Sequence, residues 1–411
     1  MSKPYCLWRK QGTVTRSYDL TACIDQQRHG LEIEEADRTR SGSGLLRSGY
    51  RDADTILHFR CALELACGFI GADMTMFDVK MTAQNKTAGN CTTRTARQTT
   101  LKDSIRIDGI GVHSGNPSSI VLHPAKSGSG ITFLRKSDGD AMDQLIPAHV
   151  DNVGDTRLCT VLGNPEELYV ATVEHLLAAL RGMNVDNVLV EIDAAEVPVM
   201  DGSSRPFVDA IRKVGTTRQS APRRYIRVLR EVNASHGQAH AVLRPHDGTR
   251  FDVEIDFESP AIGRQRFIAD LTPEVFAKDI SRARTFGFLA EAKQLRAMGL
   301  AQGSSFDNSV VIDDDRVLNE GGLRYEDEFV RHKLLDAIGD LALAGSQLLG
   351  EYKSVCGGHK LNSMILEALF ADQKNWCYED AASAEQPMFS APVGAPVGLE
   401  AASQPVAAAK A

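Results

Sequence analysis

Two series of short β-type segments, each followed by helical segments, are separated by a polar, turn-rich stretch, GTTRQSAP, at residues 215–222. A sheet must bury one face and a helix one stripe, so this doubled strands-then-helices pattern points to two α+β layers docked on each other. In the first series, Ser104–Ile110 alternates, Ser119–His123 follows Gly115 and Pro117, and Ile131–Leu134 follows a Gly-Ser turn. Thr172 reads as the N-cap of a helix through Leu180 closed by Gly182, Val188–Ile192 as a strand, and Pro206–Val214 as a helix. In the second, Arg224–Leu229, His240–Arg244 and Phe251–Phe257 read as strands. Helices are expected at Pro273–Asp279, Leu289–Met298, Tyr325–Ala344 and His359–Leu369. The domains are therefore placed at 99–217 and 222–377.

Composition bounds the function. With 411 residues, 43% hydrophobic and 24% charged, the chain can bury a large core. Its net charge of −8 is uneven: residues 1–98 carry 14 Lys/Arg against 11 Asp/Glu, which leaves −11 on the rest. So acidic a body argues against nucleic-acid binding, which rests on cations that neutralise phosphates. No apolar run reaches membrane-spanning length, Ile56–Ile70 being broken by Arg60 and Glu64, so no stable membrane insertion is expected. The leading MSKPYCLWRKQG lacks a signal-type apolar core, and the expectation is a cytoplasmic monomer. Five of eight cysteines precede residue 99 and no CxxC pair exists, so free thiols are expected. Residues 1–98 read as an atypical, weakly ordered extension with one helical stretch, Asp54–Phe69. From 381 to 411 the chain is a tail with 11 Ala and 4 Pro, expected to be disordered.

Three segments carry candidate chemistry. On a helix, His332, Asp336 and Asp340 fall at about 0°, 40° and 80°, one stripe opposite an apolar face. That stripe is shared with Phe329, Gly339 and Leu343, so it does not read as a solvated surface. His and carboxylate at i and i+4 can share a divalent metal, or form a plain helix pair. Glu174 and His175 occupy a helix's first turn, where free N–H groups favour a carboxylate. A His there can ligate a metal while the Glu takes a proton from water, or the acid can simply stabilise the helix. Gly357-Gly-His359 sets a histidine on a flexible pair before a helix; beside a carboxylate such as Asp340 it could be held protonated as a general acid, or have no catalytic role. Weaker features are Gly109-Ile-Gly-Val-His-Ser-Gly115, whose glycine spacing does not fit a dinucleotide loop, and His236, His240 and His246, which lack ligand spacing. Arg282-Ala-Arg-Thr-Phe-Gly287 sets cations and a hydroxyl at a turn suited to an anion.

Taken together, residues 99–377 resemble the UDP-3-O-acyl-N-acetylglucosamine deacetylases, zinc amidases of lipid A biosynthesis. The resemblance rests on GVHSG (111–115), DTRLCT (155–160), TVEHLLAAL (172–180), VPVMDGSSRPFV (197–208), SRARTFGF (281–288), the long block DDDRVLNEGGLRYEDEFVRHKLLDAIGDLALAG (313–345) and GGHKLN (357–362). It implies two similar two-layer α/β-sandwich domains packed helix layer to helix layer, with the active site between them. It also implies Zn2+ on His175, His332 and Asp336, Glu174 as general base, and His359 as general acid paired with Asp340. Thr285 and Lys333 would steady the oxyanion. Phe286, Phe288, Leu289 and Leu300 would line an inserted acyl passage, although core packing explains them equally well, and Cys159 would touch substrate. The implied substrate is a UDP-linked acylated amino sugar, and the tail could serve as a handle for a protease. One departure stands out: where the family usually reads Lys-Ser-Gly-His, this chain has Cys356-Gly-Gly-His359, which loses a lysine expected near the diphosphate. A non-catalytic member that binds a nucleotide sugar or partner protein on the same fold is the alternative.

Overall fold

The computed structural model describes residues 97–136 and 143–381. Apart from Arg97, Gln98 and Ala381, the expected extension at 1–98, its helix at 54–69 and the tail at 381–411 lie outside the described residues.

The fold is α+β. In the first layer, five strands lie in the order Ile105–Ile110, Pro117–Pro124, Val188–Ile192, Ile131–Arg135, Gln144–Pro147. Val188–Ile192 runs parallel to Ile131–Arg135, and the other pairs are antiparallel. Alternate residues Ile131 and Phe133, and Val188, Val190 and Ile192, are buried, as a sheet with one covered face requires. Helix α1 (Glu174–Gly182) precedes the central strand Val188–Ile192 in the chain, and α2 (Arg205–Val214) follows it. Every residue of α1 is buried, so it is a central helix rather than a surface one.

The second layer is a seven-stranded sheet whose hub is Gln347–Val355. That strand pairs in parallel with Arg224–Val228 and Thr249–Asp256 and antiparallel with Ala239–Arg244. Helix α3 (Leu289–Ala297) packs on a separate three-stranded sheet that includes Phe286–Phe288 and Val310–Asp313, whereas α4 (Glu328–Leu341) and α5 (His359–Phe370) cover the seven-stranded sheet. Helices α1 and α4 pack face to face, and one hydrophobic cluster runs from Leu101 to Leu369 through both layers. Their close approach depends on Gly339: a Cβ there would lie 2.0 Å from the carbonyl oxygen of Glu174. Only glycine lets the first turn of α1 rest on α4.

Several local expectations are corrected. The stretch at 215–222, expected to be turn-rich, is instead mostly strand: Thr216–Pro222 pairs antiparallel with Arg97–Leu101. The pairing satisfies its backbone, and Pro222 sits at its end, where no ladder donor is lost. Thr172 is not a helix cap. It has φ of 57°, and α1 starts after Val173 without a side-chain cap. Pro273–Asp279 divides into a short turn, Pro273–Val275, capped by Thr272, and a π-helical turn, Phe276–Ile280. Cys159 and Cys377 are free thiols. Cys356 is disulfide-bonded, so the free-thiol expectation fails for it.

Candidate active site

The site forms where the start of α1, the middle of α4 and the start of α5 meet. Thr172, at positive φ, turns the chain into α1, and its hydroxyl donates to Oε1 of the buried Glu196 at 2.9 Å. A β-branched residue in this region is strained, and such strain persists only where the surroundings hold it. The turn presents Glu174 and His175 to α4. From α4, His332, Asp336 and Asp340 form the expected stripe, each 2% exposed, so it faces protein rather than solvent.

His175, His332 and Asp336 offer ligand atoms that all lie within 4.8 Å of one another. Nε2 of His332 is 3.3 Å and Nε2 of His175 is 3.5 Å from Asp336 Oδ1. His332 Nδ1 donates to the Ala283 carbonyl at 3.1 Å, which leaves the Nε2 lone pair turned inward. Burial lowers the pKa of His332 to about 4, so its imidazole is neutral, the form a metal requires. Burial alone would raise Asp336, but His332 and Lys333 outweigh it and hold the carboxyl well below its usual range. Lys333 Nζ donates to Asp336 Oδ2 at 2.9 Å, whereas buried Oδ1 has no hydrogen-bond partner among the described residues. Two imidazoles around an ionised carboxylate whose inner oxygen is unpartnered are a donor set that a divalent cation completes.

Beside this cluster lies a second group of titratable side chains. Glu174 Oε2 accepts from the Thr160 N–H at 3.1 Å, and Oε1 lies 3.9 Å from His359 Nε2. Burial raises the pKa of Glu174, with His359 and His175 opposing. His359 Nδ1 donates to Asp340 Oδ2 at 2.8 Å. Burial alone would lower His359, but the carboxylates of Asp340 and Glu174 outweigh it and lift its pKa to about 9. Asn362, one turn along α5, donates to the same Asp340 oxygen at 2.8 Å, and Tyr352 donates to Asn362. The Thr160 hydroxyl donates to Asp340 Oδ1 at 2.6 Å.

The other expected residues are placed less uniformly. Lys333 adjoins the His175–His332–Asp336 cluster, with Nζ 5.7 Å from the Phe286 ring centroid. Phe286 also stacks edge-on with Phe329 at 4.9 Å and lies 6.2 Å from the His332 ring, so it joins the core to the site. Phe288 packs against Phe257, and half-buried Leu289 opens α3. Thr285, just before strand Phe286–Phe288, is half-buried, with its N–H on the Gly202 carbonyl. Cys159 is buried in a small cluster with Val161 and Ala171, where burial pushes its thiol up. Thr160, Asn362, Tyr352 and Glu196 were not anticipated. Asn362 had a usable signal, since it stands three residues after His359 on one helix face. The others come together only through the fold.

The family profile for UDP-3-O-acyl N-acetylglycosamine deacetylases matches residues 98–371, which span both layers and every residue of the two groups. The chain belongs to this family. A UDP-3-O-acyl-N-acetylglucosamine deacetylase of Idiomarina loihiensis is 48% identical over 282 residues, 68% of this chain and 92% of the relative. Its counterparts in Brucella ovis and Brucella abortus are 49% identical over 279 residues, 68% of this chain and 96% of theirs. The deacetylase family match thus ends short of residues 1–97 and 372–411. Among the described residues, no helix is long and apolar enough to cross a membrane.

Proposed function

We propose that this chain is a zinc-dependent deacetylase that hydrolyses the N-acetyl group of UDP-3-O-acyl-N-acetylglucosamine, giving UDP-3-O-acyl-glucosamine and acetate. The observation that carries this reading is the buried His175–His332–Asp336 cluster, with its unpartnered carboxylate oxygen, set against Glu174 and His359. Zinc held by these three side chains would supply Lewis acidity, enough to bring the pKa of a water to about 7.

The remaining steps belong to the protein's own groups. Glu174 is held at Oε2 by Thr160, which leaves Oε1 to take the proton of the attacking water. As the water oxygen adds to the acetyl carbonyl, negative charge develops on the carbonyl oxygen. Lys333 and Thr285 are assigned to it, at roughly 3–4 kcal/mol for a well-placed donor. Cleavage of the C–N bond needs a proton on nitrogen, because an amide anion is too basic to leave. His359 supplies it from Nε2, since Nδ1 is committed to Asp340. Phe286, Phe288 and Leu289 are assigned to the acyl chain and Cys159 to the substrate wall.

The test is acetate release from the UDP-sugar by purified full-length chain, with the metal content measured alongside. Release that is lost to a chelator and restored by zinc is expected. Undiminished turnover by metal-free protein would overturn the metal role, and zinc-loaded protein that binds the sugar without releasing acetate would favour the non-catalytic alternative. The same proposal takes the enzyme as a cytoplasmic monomer whose end at 381–411 is dispensable for catalysis and read by a protease. Truncation after Ala381 should leave turnover unchanged and alter cellular lifetime; equal lifetimes would dispose of the protease handle.

A further inference from the structure

We propose that Thr160 is a positioning residue that fastens the general base and the general-acid pair into one rigid proton-transfer unit. This deepens the reading given above and rests on it. Thr160 is 2% exposed and lies directly before strand Val161–Gly163 of a separate three-stranded sheet. Its N–H donates to Glu174 Oε2 at 3.1 Å, its carbonyl accepts from the Val173 N–H, and its hydroxyl donates to Asp340 Oδ1 at 2.6 Å. One residue therefore holds a carboxylate on α1 and another on α4, across the junction of the two layers.

The hydroxyl matters because of how Asp340 is otherwise held. Both other donors, His359 Nδ1 and Asn362 Nδ2, converge on Oδ2. The terminal torsion of an aspartate is broad, so bonds to one oxygen alone leave the carboxylate plane free to swing. A third bond on Oδ1 fixes that plane, and with it the direction in which Oδ2 holds the His359 ring. Oδ1 is the acceptor here, so the single Thr160 proton points at Asp340. Thr160, Asp340 and His359 line a crevice with Val150, Val153 and Leu343 that is too tight for a water molecule. A lost hydroxyl would therefore leave Oδ1 unpaired rather than solvated.

The experiment compares wild type, Thr160→Val, Thr160→Ser, Asp340→Asn and the Thr160→Val/Asp340→Asn double variant, all as zinc-loaded full-length enzyme. Acetate release, zinc content and the thermal midpoint are measured for each. Thr160→Val keeps the backbone N–H and the side-chain shape; kcat should fall about 10- to 100-fold with KM within about twofold, as expected for a misplaced catalytic group. Zinc content should be unchanged. Thr160→Ser should restore most of kcat, and adding Thr160→Val to Asp340→Asn should cost little more, since the hydroxyl acts through that carboxylate. Wild-type kcat in Thr160→Val, equal losses in the serine and valine variants, or losses that multiply in the double variant would each overturn the proposal. If the valine protein does not fold, Thr160→Cys replaces it. The weak thiol donor should give a kcat below that of Thr160→Ser, and equality of the two would overturn the proposal. A wild type that releases no acetate would instead sink the underlying deacetylase reading.

Discussion

Asp336 and Asp340 are the same residue type, four positions apart on α4 and each 2% exposed, yet their surroundings are opposite in kind. Around Asp340 both oxygens are occupied, Oδ1 by Thr160 and Oδ2 by His359 and Asn362. Around Asp336, among the described residues, only Oδ2 has a donor, from Lys333, while Oδ1 faces two imidazole nitrogens with none. An unsatisfied buried acceptor costs about 1–3 kcal/mol. Under the proposed function, a fold that completes one carboxylate and leaves its neighbour incomplete separates two tasks: the complete group would be a fixed support for a proton donor, and the incomplete one would take a cation.

The largest test of that contrast is Asp336→Ala. It should abolish zinc retention and lower turnover by about 10³-fold or more, the equivalent of several kcal/mol of Lewis-acid stabilisation. Its thermal midpoint should also become indifferent to a chelator, whereas the wild-type midpoint drops when zinc is withdrawn from the folded state. Asp340→Asn should behave differently, with zinc retained in full and turnover down by about 10²-fold, in the range for loss of a general acid's support. Equal zinc loss in the two variants, measured by elemental analysis, would break the distinction.

Much of this contrast was legible in the sequence because a helix is periodic. His332, Asp336 and Asp340 fall on one stripe whatever the rest of the fold does, and the flanking Phe329 and Leu343 already argued against solvent. The Gly-Gly pair before His359 likewise marks a helix start. Non-local pairing escaped. Gln347–Val355, the hub of the second sheet, has parallel neighbours more than 90 residues away, and no local pattern announces them. The 215–222 stretch read as turn-rich because its polarity is visible and its partner at Arg97–Leu101 is not. Thr172 carries the composition of a cap, but Glu196, 24 residues on, engages its hydroxyl instead. Thr160 lay inside a matched block, yet its role depends on Asp340, 180 residues away.

Gly339 gives a smaller and sharper test, because it lies between the two aspartates and touches neither task directly. Glycine in a helix interior costs about 1 kcal/mol relative to alanine, so helix propensity alone predicts that Gly339→Ala stabilises. The crossing predicts the reverse: the added methyl would lie 2.0 Å from the Glu174 carbonyl oxygen and 2.7 Å from its carbonyl carbon, backbone that cannot swing away. Overpacking of this kind costs about 1–3 kcal/mol, so chemical denaturation should show a net loss. Any shift of α1 moves Glu174 and His175 together, so base function and zinc affinity should decline in step. A stabilised, fully active Gly339→Ala protein would show that the helices separate more easily than this packing implies.

The smallest expected effect is a displacement along the pH axis, and it separates the two aspartates by charge. In its proposed role of general acid His359 must be protonated, and its pKa is lifted from 6.5 to about 9, with Asp340 the first of the groups that overcome burial. Turnover should therefore hold through neutral pH and fall as pH rises through about 9. The same shift stabilises the fold fully below pH 6.5, and that contribution is lost between 6.5 and about 9 as the histidine deprotonates. On the acid side Glu174 must be ionised, and since burial raises its pKa above 4.5, the acid limb should lie above that value. The profile is a bell. Asp340→Asn removes the main negative partner of His359 and should carry the alkaline limb toward 6.5 while leaving zinc bound, so the bell narrows from one side only. If initial rates of Asp340→Asn on the alkaline side superimpose on wild type after scaling, Asp340 orients the ring without setting its charge, and the contrast with Asp336 is one of geometry alone.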